Sequence, residues 1–267
     1  MKLGFIGCGN MAQAMIKGII EHNILAPNEV IASDAYRAGL EKAHETMGIV
    51  ITDNNKEVAE NADIIVMAVK PYLYAAVAEE IKGLIKPHQI ILTIAPGKTT
   101  AWVAEQFSTE TKIVRTMPNT PSMVGEGMTG VCHNKYVTKE EMDYICSLLR
   151  GFGRVEVVPE ELMDVVVAVS SSSPAYVFMF IEAMADAASA DGMPRAQAYQ
   201  FAAQAVMGSA KMILETGKHP GELKDMVCSP GGTTLEAIRV LEGHGLRSSV
   251  FEAVKACAAH CKKVVDK

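Results

Sequence analysis

Residues 2–12 read KLGFIGCGNMA. A short apolar run, residues 2–6, leads directly into Gly7, Gly9 and Ala12, which have the G-x-G-x-x-A spacing, and a helical pattern begins at Met11. The first glycine permits a tight turn, the second lets a pyrophosphate approach the backbone, and the alanine keeps the helix close to the sheet. This stretch predicts the first strand, the phosphate-binding turn and the first helix of a dinucleotide-binding βαβ unit.

Short apolar runs and helical patterns alternate through the first half of the chain. The apolar runs lack the apolar–polar alternation of a half-exposed strand, which favours strands that are buried on both faces of a parallel sheet. Strands and helices of this length in alternation predict βαβ units. The predicted strands are 2–6, 30–33, 64–69, 90–94, 112–115 and 155–158, and the predicted helices are 11–22, 38–47, 75–84 and 138–152.

The composition of the sequence changes after Pro159. The remaining residues are rich in Ala, Met, Glu, Gln and Lys, which favour helices, and we expect helices near 161–190, 194–216, 233–243 and 247–265. The run 165–169 could equally form a strand, but its place inside a long helical pattern favours a helix. The predicted fold is an α/β N-terminal domain with a Rossmann-type parallel sheet, residues 1–159, followed by an all-α C-terminal domain, residues 160–267.

The predicted C-terminal helices are apolar around most of their circumference. In the first of them, Phe178, Phe180 and Met184 leave little polar face. A bundle this small would expose part of that surface to water. Packing against the sheet domain is one explanation, and burial against a second copy is the one we favour, which makes this a dimerisation domain and the protein a homodimer.

Composition excludes several classes of partner. Hydrophobic residues make up 49% of the 267 residues and charged residues 21%, so the chain can form a core. A formal net charge of −6 argues against nucleic acid or an anionic membrane surface as a partner. No apolar run approaches the ~20 residues that cross a bilayer, so no membrane partner is expected.

Six cysteines are scattered along the chain without a C-x-x-C pair. Because the N-terminus carries no recognisable export signal, we expect free thiols in a reducing cytosol and a cytoplasmic protein. Cys257, His260 and Cys261 could share one helix face, but no second group of ligands lies near them in sequence. No metal site is predicted.

A second motif, SPGGTT at residues 229–234, precedes a short helical pattern. Thr233 and Glu236 have the spacing of a capping box. Two glycines let the backbone turn, and free N–H groups at a helix N-terminus attract a carboxylate or a phosphate. An ordinary capped turn would have the same sequence, but the nucleotide-binding stretch elsewhere in the chain favours a small anion-binding site with hydroxyls beside it.

The end of the second predicted strand bears on the choice of dinucleotide. An acidic residue there binds the ribose hydroxyls of NAD, whereas a serine and an arginine suit the extra phosphate of NADP. This chain offers Ser33, Asp34 and Arg37. NADP is favoured if Ser33 ends the strand and Asp34 points away, and NAD is favoured if Asp34 ends the strand; the balance is slightly towards NADP.

Three further strand ends, 68–71, 94–97 and 117–121, are rich in proline and glycine. Each could simply mark a turn. Because the carboxyl ends of parallel strands share one edge of the sheet, the three together are better explained as a wall around the nicotinamide.

Taken together, these motifs make the chain resemble the pyrroline-5-carboxylate reductases. Residues 7–12, 69–71, 117–121, 173–176 and 229–234 occur in the order and spacing of that family. The resemblance covers essentially the whole chain, and its most specific part is 225–242. It implies a Rossmann domain, a helical domain that interlocks into dimers, often assembled further into decamers, and hydride transfer from NAD(P)H to the C=N carbon of 1-pyrroline-5-carboxylate, giving L-proline.

The resemblance also implies site residues. The substrate carboxylate would bind backbone amides of Ser229, Gly231, Gly232 and Thr233, and Thr234, the catalytic candidate, would hydrogen-bond the ring nitrogen. Thr234 is expected to orient the imine and relay a proton from water, since its hydroxyl is a poor acid. The fingerprint, the strand ends and the resemblance together make the following candidates for cofactor binding: Ile6, Gly7, Gly9, Asn10, Met11, Ser33, Asp34, Asn55, Ala68, Val69, Lys70, Pro71, Ala95 and Asn119.

The chain departs from the family pattern in two places. The family usually reads Ser-Gly-Ser-Gly-Pro-Ala-Tyr before its long helix, whereas Ser171 and Ser173 stand here in place of the glycines. Their hydroxyls are expected to bond back to helix carbonyls. The segment Ala95-Pro96-Gly97 likewise differs from the usual Ala-Ala-Gly.

Two other functions remain open at this stage. A related imine or hydroxyacid reductase of similar architecture would use a catalytic lysine in the first helix of the helical domain, and residues 160–184 contain none. A non-catalytic NADP-binding regulator would bind the cofactor without turnover, and the two serine replacements are the only hint in its favour.

Overall fold

The computed structural model describes residues 2–108 and 110–264, with side chains as far as Cys261. Within that part of the chain, the strands are β1 (Leu3–Ile6), β2 (Val30–Ser33), β3 (Val50–Thr52), β4 (Ile64–Met67), β5 (Ile90–Thr93), β6 (Lys112–Met117), β7 (Gly127–His133) and β8 (Gly153–Val157). They form one sheet in the order β3-β2-β1-β4-β5-β6-β7-β8. All neighbouring pairs are parallel except β6 and β7.

Helices fill the connections and then replace strands altogether. Those that follow the strands are α1 (Asn10–Glu21), α2 (Arg37–Met47), α3 (Asn55–Asn61), α4 (Tyr74–Ile81), α5 (Thr100–Phe107), α6 (Lys139–Leu149) and α7 (Met163–Val166). A π-helical turn occupies Val167–Ser171, and short 3-10 turns include Pro71–Leu73 and Thr120–Val124. The later helices are α8 (Ser173–Ala190), α9 (Arg195–Thr216), α10 (Pro220–Met226), α11 (Thr233–Gly243) and α12 (Leu246–Val264). This confirms the predicted Rossmann-type α/β sheet followed by an all-α region.

The winding of the sheet defines where a ligand binds. β1 pairs with β2 on one side and with β4 on the other. The chain runs outward from β1 through β2 and β3 and then returns to β4, so the direction of winding reverses between β1 and β4. Open α/β sheets bind ligands outside the carboxyl ends of the strands at such a reversal. The turn that contains Gly7 follows β1 at this point.

The core lies on both faces of the sheet. Phe5 belongs to a cluster with residues of α1 and α6, and its neighbour Ile6 belongs to a second cluster with residues of α3 and α4. Both side chains are at most 1% exposed. Successive residues of a strand point to opposite faces, so burial of both explains the unbroken apolar runs in the sequence.

The sheet contains strands that the sequence did not predict. β7 is antiparallel to β6, and two of its seven residues are glycines, which have low strand propensity. The Cβ of an alanine at Gly130 would lie 2.6 Å from a Val166 methyl group, so close packing requires glycine there. β3, at the opposite edge, has three residues and is too short to show a periodicity.

The chain divides into two compact units, one reaching Ser172 together with the end of α12 from Cys257, and the other extending from Ser173 to Ala256. In the second unit, α8 and α9 pack against each other, and the buried residues of this pair are alanines: Ala185, Ala198 and Ala202. Larger apolar side chains are exposed in this chain, with Met179 at 69% and Phe201 at 68%. The helical unit therefore leaves most of its apolar surface uncovered in a single chain.

The expectation that no apolar run approaches the length of a bilayer crossing meets one exception by length and composition. In the described part of the chain, this is the 31-residue helical stretch Glu160–Ala190, which contains an 18-residue window with a mean hydropathy of 1.5. Of the residues in that window, 17% are buried. The expectation counted uninterrupted apolar residues, whereas a hydropathy average tolerates the serines at 170–173 and a small number of charges.

Candidate active site

The turn after β1 requires its first glycine. Gly7 has φ +96°, and a Cβ there would lie 2.8 Å from the carbonyl carbon and oxygen of Ala68. Backbone hydrogen bonds hold the turn against both neighbouring strands, because the Gly7 N–H donates to Ser33 O and the Ala68 N–H donates to Ile6 O, each at 2.8 Å. The candidates Ile6, Gly7, Ser33 and Ala68 are thereby brought together at the reversal point.

The second glycine has a different role. Gly9 is the N-cap of α1 with an ordinary φ of −72°, it makes no side-chain capping bond, and a Cβ there would meet nothing within 4 Å. The absence of a side chain is therefore not required by the protein's own packing. It leaves open space in front of the first turn of α1, where Asn10 and Met11 begin the helix and its N–H groups and dipole favour an anion. This fits a bound pyrophosphate.

Asp34 ties the glycine-rich turn to the end of β2. Its carboxylate oxygens accept hydrogen bonds from the Cys8 N–H at 2.6 Å and the Tyr36 N–H at 2.8 Å. Burial, with a smaller contribution from the Asp34 carboxylate, raises the pKa of the Cys8 thiol to about 11. The thiol is therefore neutral at physiological pH and places no negative charge beside the turn.

Ser33 is the last residue of β2 and is buried. Its hydroxyl donates to Asn55 Oδ1 at 2.8 Å, and Asn55 Nδ2 donates to Glu80 Oε2 at 2.8 Å. Ser33 thus positions Asn55 rather than presenting its hydroxyl to solvent. Arg37 lies in the first turn of α2, where its exposed guanidinium pairs with Glu41.

The next strand ends lie further along the same edge. Ala68 and Val69 are half-buried, whereas Lys70 and Pro71 are exposed at the start of a 3-10 turn. Ala95 is buried in the core, and its N–H donates to Thr93 Oγ1 at 3.2 Å. Among these residues, those at 68–71 are the ones with surface available to a ligand.

Asn119 connects two other segments of the first unit by hydrogen bonds of its side chain. Its Nδ2 donates to Ser170 O at 3.1 Å, and its Oδ1 accepts from the Met128 N–H at 2.9 Å. The side chain is therefore committed to other protein segments, and a contact with the cofactor would have to come from the backbone or from its neighbours. The 3-10 turn Thr120–Val124 that follows packs against α1, and Met123 and Asn10 line one cavity of about 430 Å³.

The SPGGTT segment lies in the second unit and leads into α11. Gly231 has φ +69°, and the Gly232 N–H donates to Ser229 O at 3.0 Å, so the segment forms a turn. Thr233 and Thr234 are the first two residues of α11. The N-terminus of this eleven-residue helix thus carries backbone N–H groups together with serine and threonine hydroxyls.

The predicted capping box is wrong. The N-cap of α11 is Gly232 with no side-chain capping bond, and Glu236 pairs with Arg239 instead of reaching back to the helix start. The capping box required Thr233 to be the N-cap, whereas Thr233 is already the first residue of the helix. The first-turn N–H groups are consequently not capped by a side chain, which suits an anion-binding segment.

Sequence reasoning missed several contacts at this edge of the sheet. Glu80 reaches Asn55 from a different helix, and Ser170 reaches Asn119 across 51 residues. Glu80 lies in no motif with a recognisable spacing, and the family pattern that contains Ser170 does not show that this residue contacts Asn119. Across the residues that the structure describes, no group of three or more His, Cys, Asp or Glu side chains could hold a metal ion.

Comparisons with known proteins agree with this architecture. Residues 160–264 match the family described as pyrroline-5-carboxylate reductase dimerisation, which assigns the helical region to oligomerisation, and residues 2–97 match the family described as NADP oxidoreductase coenzyme F420-dependent. The chain is 50% identical over 263 residues to a pyrroline-5-carboxylate reductase of Escherichia coli (strain K12), covering 98% of each chain.

Solved structures show the same similarity. A pyrroline-5-carboxylate reductase from Coxiella burnetii is 35% identical with a TM-score of 0.92, covering 98% of this chain and 97% of that one. A Plasmodium falciparum pyrroline carboxylate reductase with NADP bound is 31% identical with a TM-score of 0.90, covering 99% and 98%. Since sequence and fold agree over nearly the full length of each relative, this chain belongs to the pyrroline-5-carboxylate reductase family.

Proposed function

We propose that this protein reduces 1-pyrroline-5-carboxylate to L-proline with NAD(P)H, the last step of proline biosynthesis. Family membership suggests the reaction, and the observation that carries it to this chain is the glycine-rich turn at the winding reversal. Gly7 is required by the protein's own backbone, whereas a Cβ at Gly9 would meet open space, so the protein's own packing does not require that glycine. The dinucleotide supplies the hydride when it is bound, and the turn 7–11 with Asp34, Asn55 and 68–71 would hold it.

The substrate imposes modest demands on the protein. An iminium carbon is already electrophilic, so the site must orient the ring and keep its nitrogen protonated or supply its proton. The uncapped N-terminus of α11 would bind the substrate carboxylate through amides of 229–233. The Thr234 hydroxyl would donate a hydrogen bond to the ring nitrogen. It would also relay a proton from water to that nitrogen. No lysine in 160–184 competes for this role.

NADPH is proposed as the preferred cofactor, with NADH as the weaker alternative. β2 ends at Ser33, which is one of the two conditions that favour NADP. The second condition is not met, because the Asp34 carboxylate faces the glycine-rich turn and accepts the Cys8 N–H. Arg37 is the exposed cation beside this strand end. The relative with NADP bound supports the same choice.

Arg37→Ala is expected to raise the KM for NADPH about 5- to 10-fold, since a charge-assisted hydrogen bond to the 2′-phosphate would be lost. The KM for NADH is expected to stay unchanged, because NADH lacks that phosphate. Both are measured by loss of reduced-nicotinamide absorbance with racemic 1-pyrroline-5-carboxylate, with proline identified as product. Lys42→Ala, which removes a cation further along α2, is the control. Equal losses with both cofactors would remove Arg37 from phosphate binding, and no turnover by the wild type with either would contradict the proposed reaction.

We also propose a homodimer formed through the helical region, with decamers as a further level of assembly. The exposed apolar faces of α8 and α9 and the match to a dimerisation family support the dimer. A membrane could cover the same surface, but Glu182 and Asp186 lie within the stretch Glu160–Ala190, and ionised carboxylates are costly in a bilayer. The six free cysteines agree with a cytoplasmic location.

Phe201→Glu combined with Met179→Glu is expected to convert the assembly to monomers, because a carboxylate buried at an apolar interface without a partner is strongly unfavourable. Size-exclusion chromatography with light scattering measures the mass. Tyr144→Glu, at an exposed aromatic residue on α6, serves as the matched control and is expected to leave the mass unchanged. A double variant that keeps the wild-type mass would place the interface elsewhere.

A further inference from the structure

Two hydroxyls of the four-serine segment 170–173 donate to backbone carbonyls that are distant in sequence. The hydroxyl of Ser171 donates to Pro118 O at 3.3 Å, and that of Ser170 donates to Met128 O at 3.4 Å. Back-bonding was expected for Ser171 and Ser173, and the expectation is wrong for Ser171, whose hydroxyl donates to Pro118 O instead. The partners lie 53 and 42 residues away, in the segment after β6 and at the start of β7.

The helix geometry explains why this segment needs outside partners. A π-helical turn occupies Val167–Ser171, where the Ser172 N–H donates to Val167 O. In an α-helix the carbonyl of Ser170 would accept from residue 174, but Pro174 has no N–H. Asn119 Nδ2 donates to this carbonyl instead. The loop after β6 therefore contacts the turn through the Asn119 side chain and the Pro118 carbonyl.

Three hydrogen bonds make one tie between the π-turn and that loop. We call it the serine tie: Ser171 to Pro118 O, Asn119 to Ser170 O, and Ser170 to Met128 O. Ser171 is the part of the tie that this chain adds, because the family usually has glycine at that position.

The loop held by the tie borders the proposed cofactor site. It starts at the carboxyl end of β6, on the edge where the turn of Gly7 lies. Its continuation, Thr120–Val124, packs against α1, and Met123 shares a cavity with Asn10 of the glycine-rich fingerprint. Movement of Pro118 would therefore shift the segment Thr120–Val124, which packs against α1.

We propose that Ser171 is a positioning residue for cofactor binding, acting through the Pro118 carbonyl to hold the 117–121 loop against α1. It does not touch the cofactor. The inference rests on the proposed nicotinamide site, and it adds a contact that a glycine at this position cannot make.

The test compares Ser171→Ala, Ser171→Gly and Ser171→Thr in the full-length protein. NADPH affinity is measured by nucleotide fluorescence titration, and amide hydrogen exchange is followed over residues 117–128. Loss of one intramolecular hydrogen bond is expected to raise the NADPH Kd about 3- to 10-fold in the alanine and glycine variants, with faster exchange in the loop. The threonine variant keeps the hydroxyl and is expected to bind like the wild type. Ser147→Ala, which removes a hydroxyl bonded to Tyr144 O on α6, is the matched control.

Steady-state kinetics separates positioning from general stability. The KM for NADPH is expected to follow the Kd, while kcat stays close to the wild-type value. Wild-type Kd and exchange in Ser171→Ala and Ser171→Gly would overturn the proposal, and so would equal impairment of Ser171→Thr and Ser171→Ala. Failure of the wild type to reduce 1-pyrroline-5-carboxylate would contradict the proposed function alone, because the exchange measurement requires neither substrate nor turnover.

Discussion

Thr234→Ala is expected to lower kcat about 10²- to 10³-fold, in the range seen when one preorganised donor to a reacting group is removed. The hydroxyl would orient the ring nitrogen and relay its proton, and an interaction that strengthens in the transition state acts on kcat. NADPH binding is expected to be unchanged, because the glycine-rich turn belongs to the first compact unit and Thr234 to the second. Steady-state rates and an NADPH titration measure the two effects separately.

Thr234→Ser is the matched variant, since it keeps the hydroxyl and removes only a methyl group. It is expected to retain most of the turnover. Thr233→Ala tests the neighbouring residue, whose proposed contribution comes from its backbone N–H, and it is expected to have a small effect. Unchanged kcat in Thr234→Ala, or equal losses in the serine and alanine variants, would remove the hydroxyl from the mechanism.

Gly9→Ala is expected to weaken NADPH binding about 5- to 150-fold while leaving the fold intact. A Cβ at this position meets nothing within 4 Å and φ is −72°. The melting temperature without cofactor is therefore expected to fall only by the small cost of replacing glycine with alanine at a helix N-cap. A methyl group forced against a bound pyrophosphate costs about 1–3 kcal/mol, by analogy with overpacking in a core, which is about 5- to 150-fold in Kd. Calorimetric titration and thermal unfolding measure both quantities.

Gly7→Ala supplies the contrast within the same turn. Its Cβ would lie 2.8 Å from the Ala68 carbonyl, and φ is +96°, so strain and overpacking together are expected to destabilise the protein by about 2–5 kcal/mol. The melting temperature is expected to fall even without cofactor. If Gly9→Ala lowered it as much as Gly7→Ala does, the space at Gly9 would be a structural requirement rather than a place for a ligand.

Local patterns account for what could be predicted. Unbroken apolar runs predicted strands buried on two faces, and Phe5 and Ile6 pack into clusters on opposite sides of the sheet. The glycine spacing predicted the turn at 7–12, because steric permission for a positive φ is a property of one residue and its neighbours. β3 and β7 escaped prediction because one is too short for a period and the other owes its glycines to close packing.

The sequence by itself determined the α/β sheet, the glycine-rich turn and the helical region. Each of them depends on patterns among residues that are close together along the chain. Only the tertiary structure decided which partners the polar groups take. Asp34 accepts from Cys8 across 26 residues, and Ser171 donates to Pro118 across 53. A hydroxyl or a carboxylate can pair with many groups, and folding selects the partner by bringing distant backbone within about 3 Å at a suitable angle.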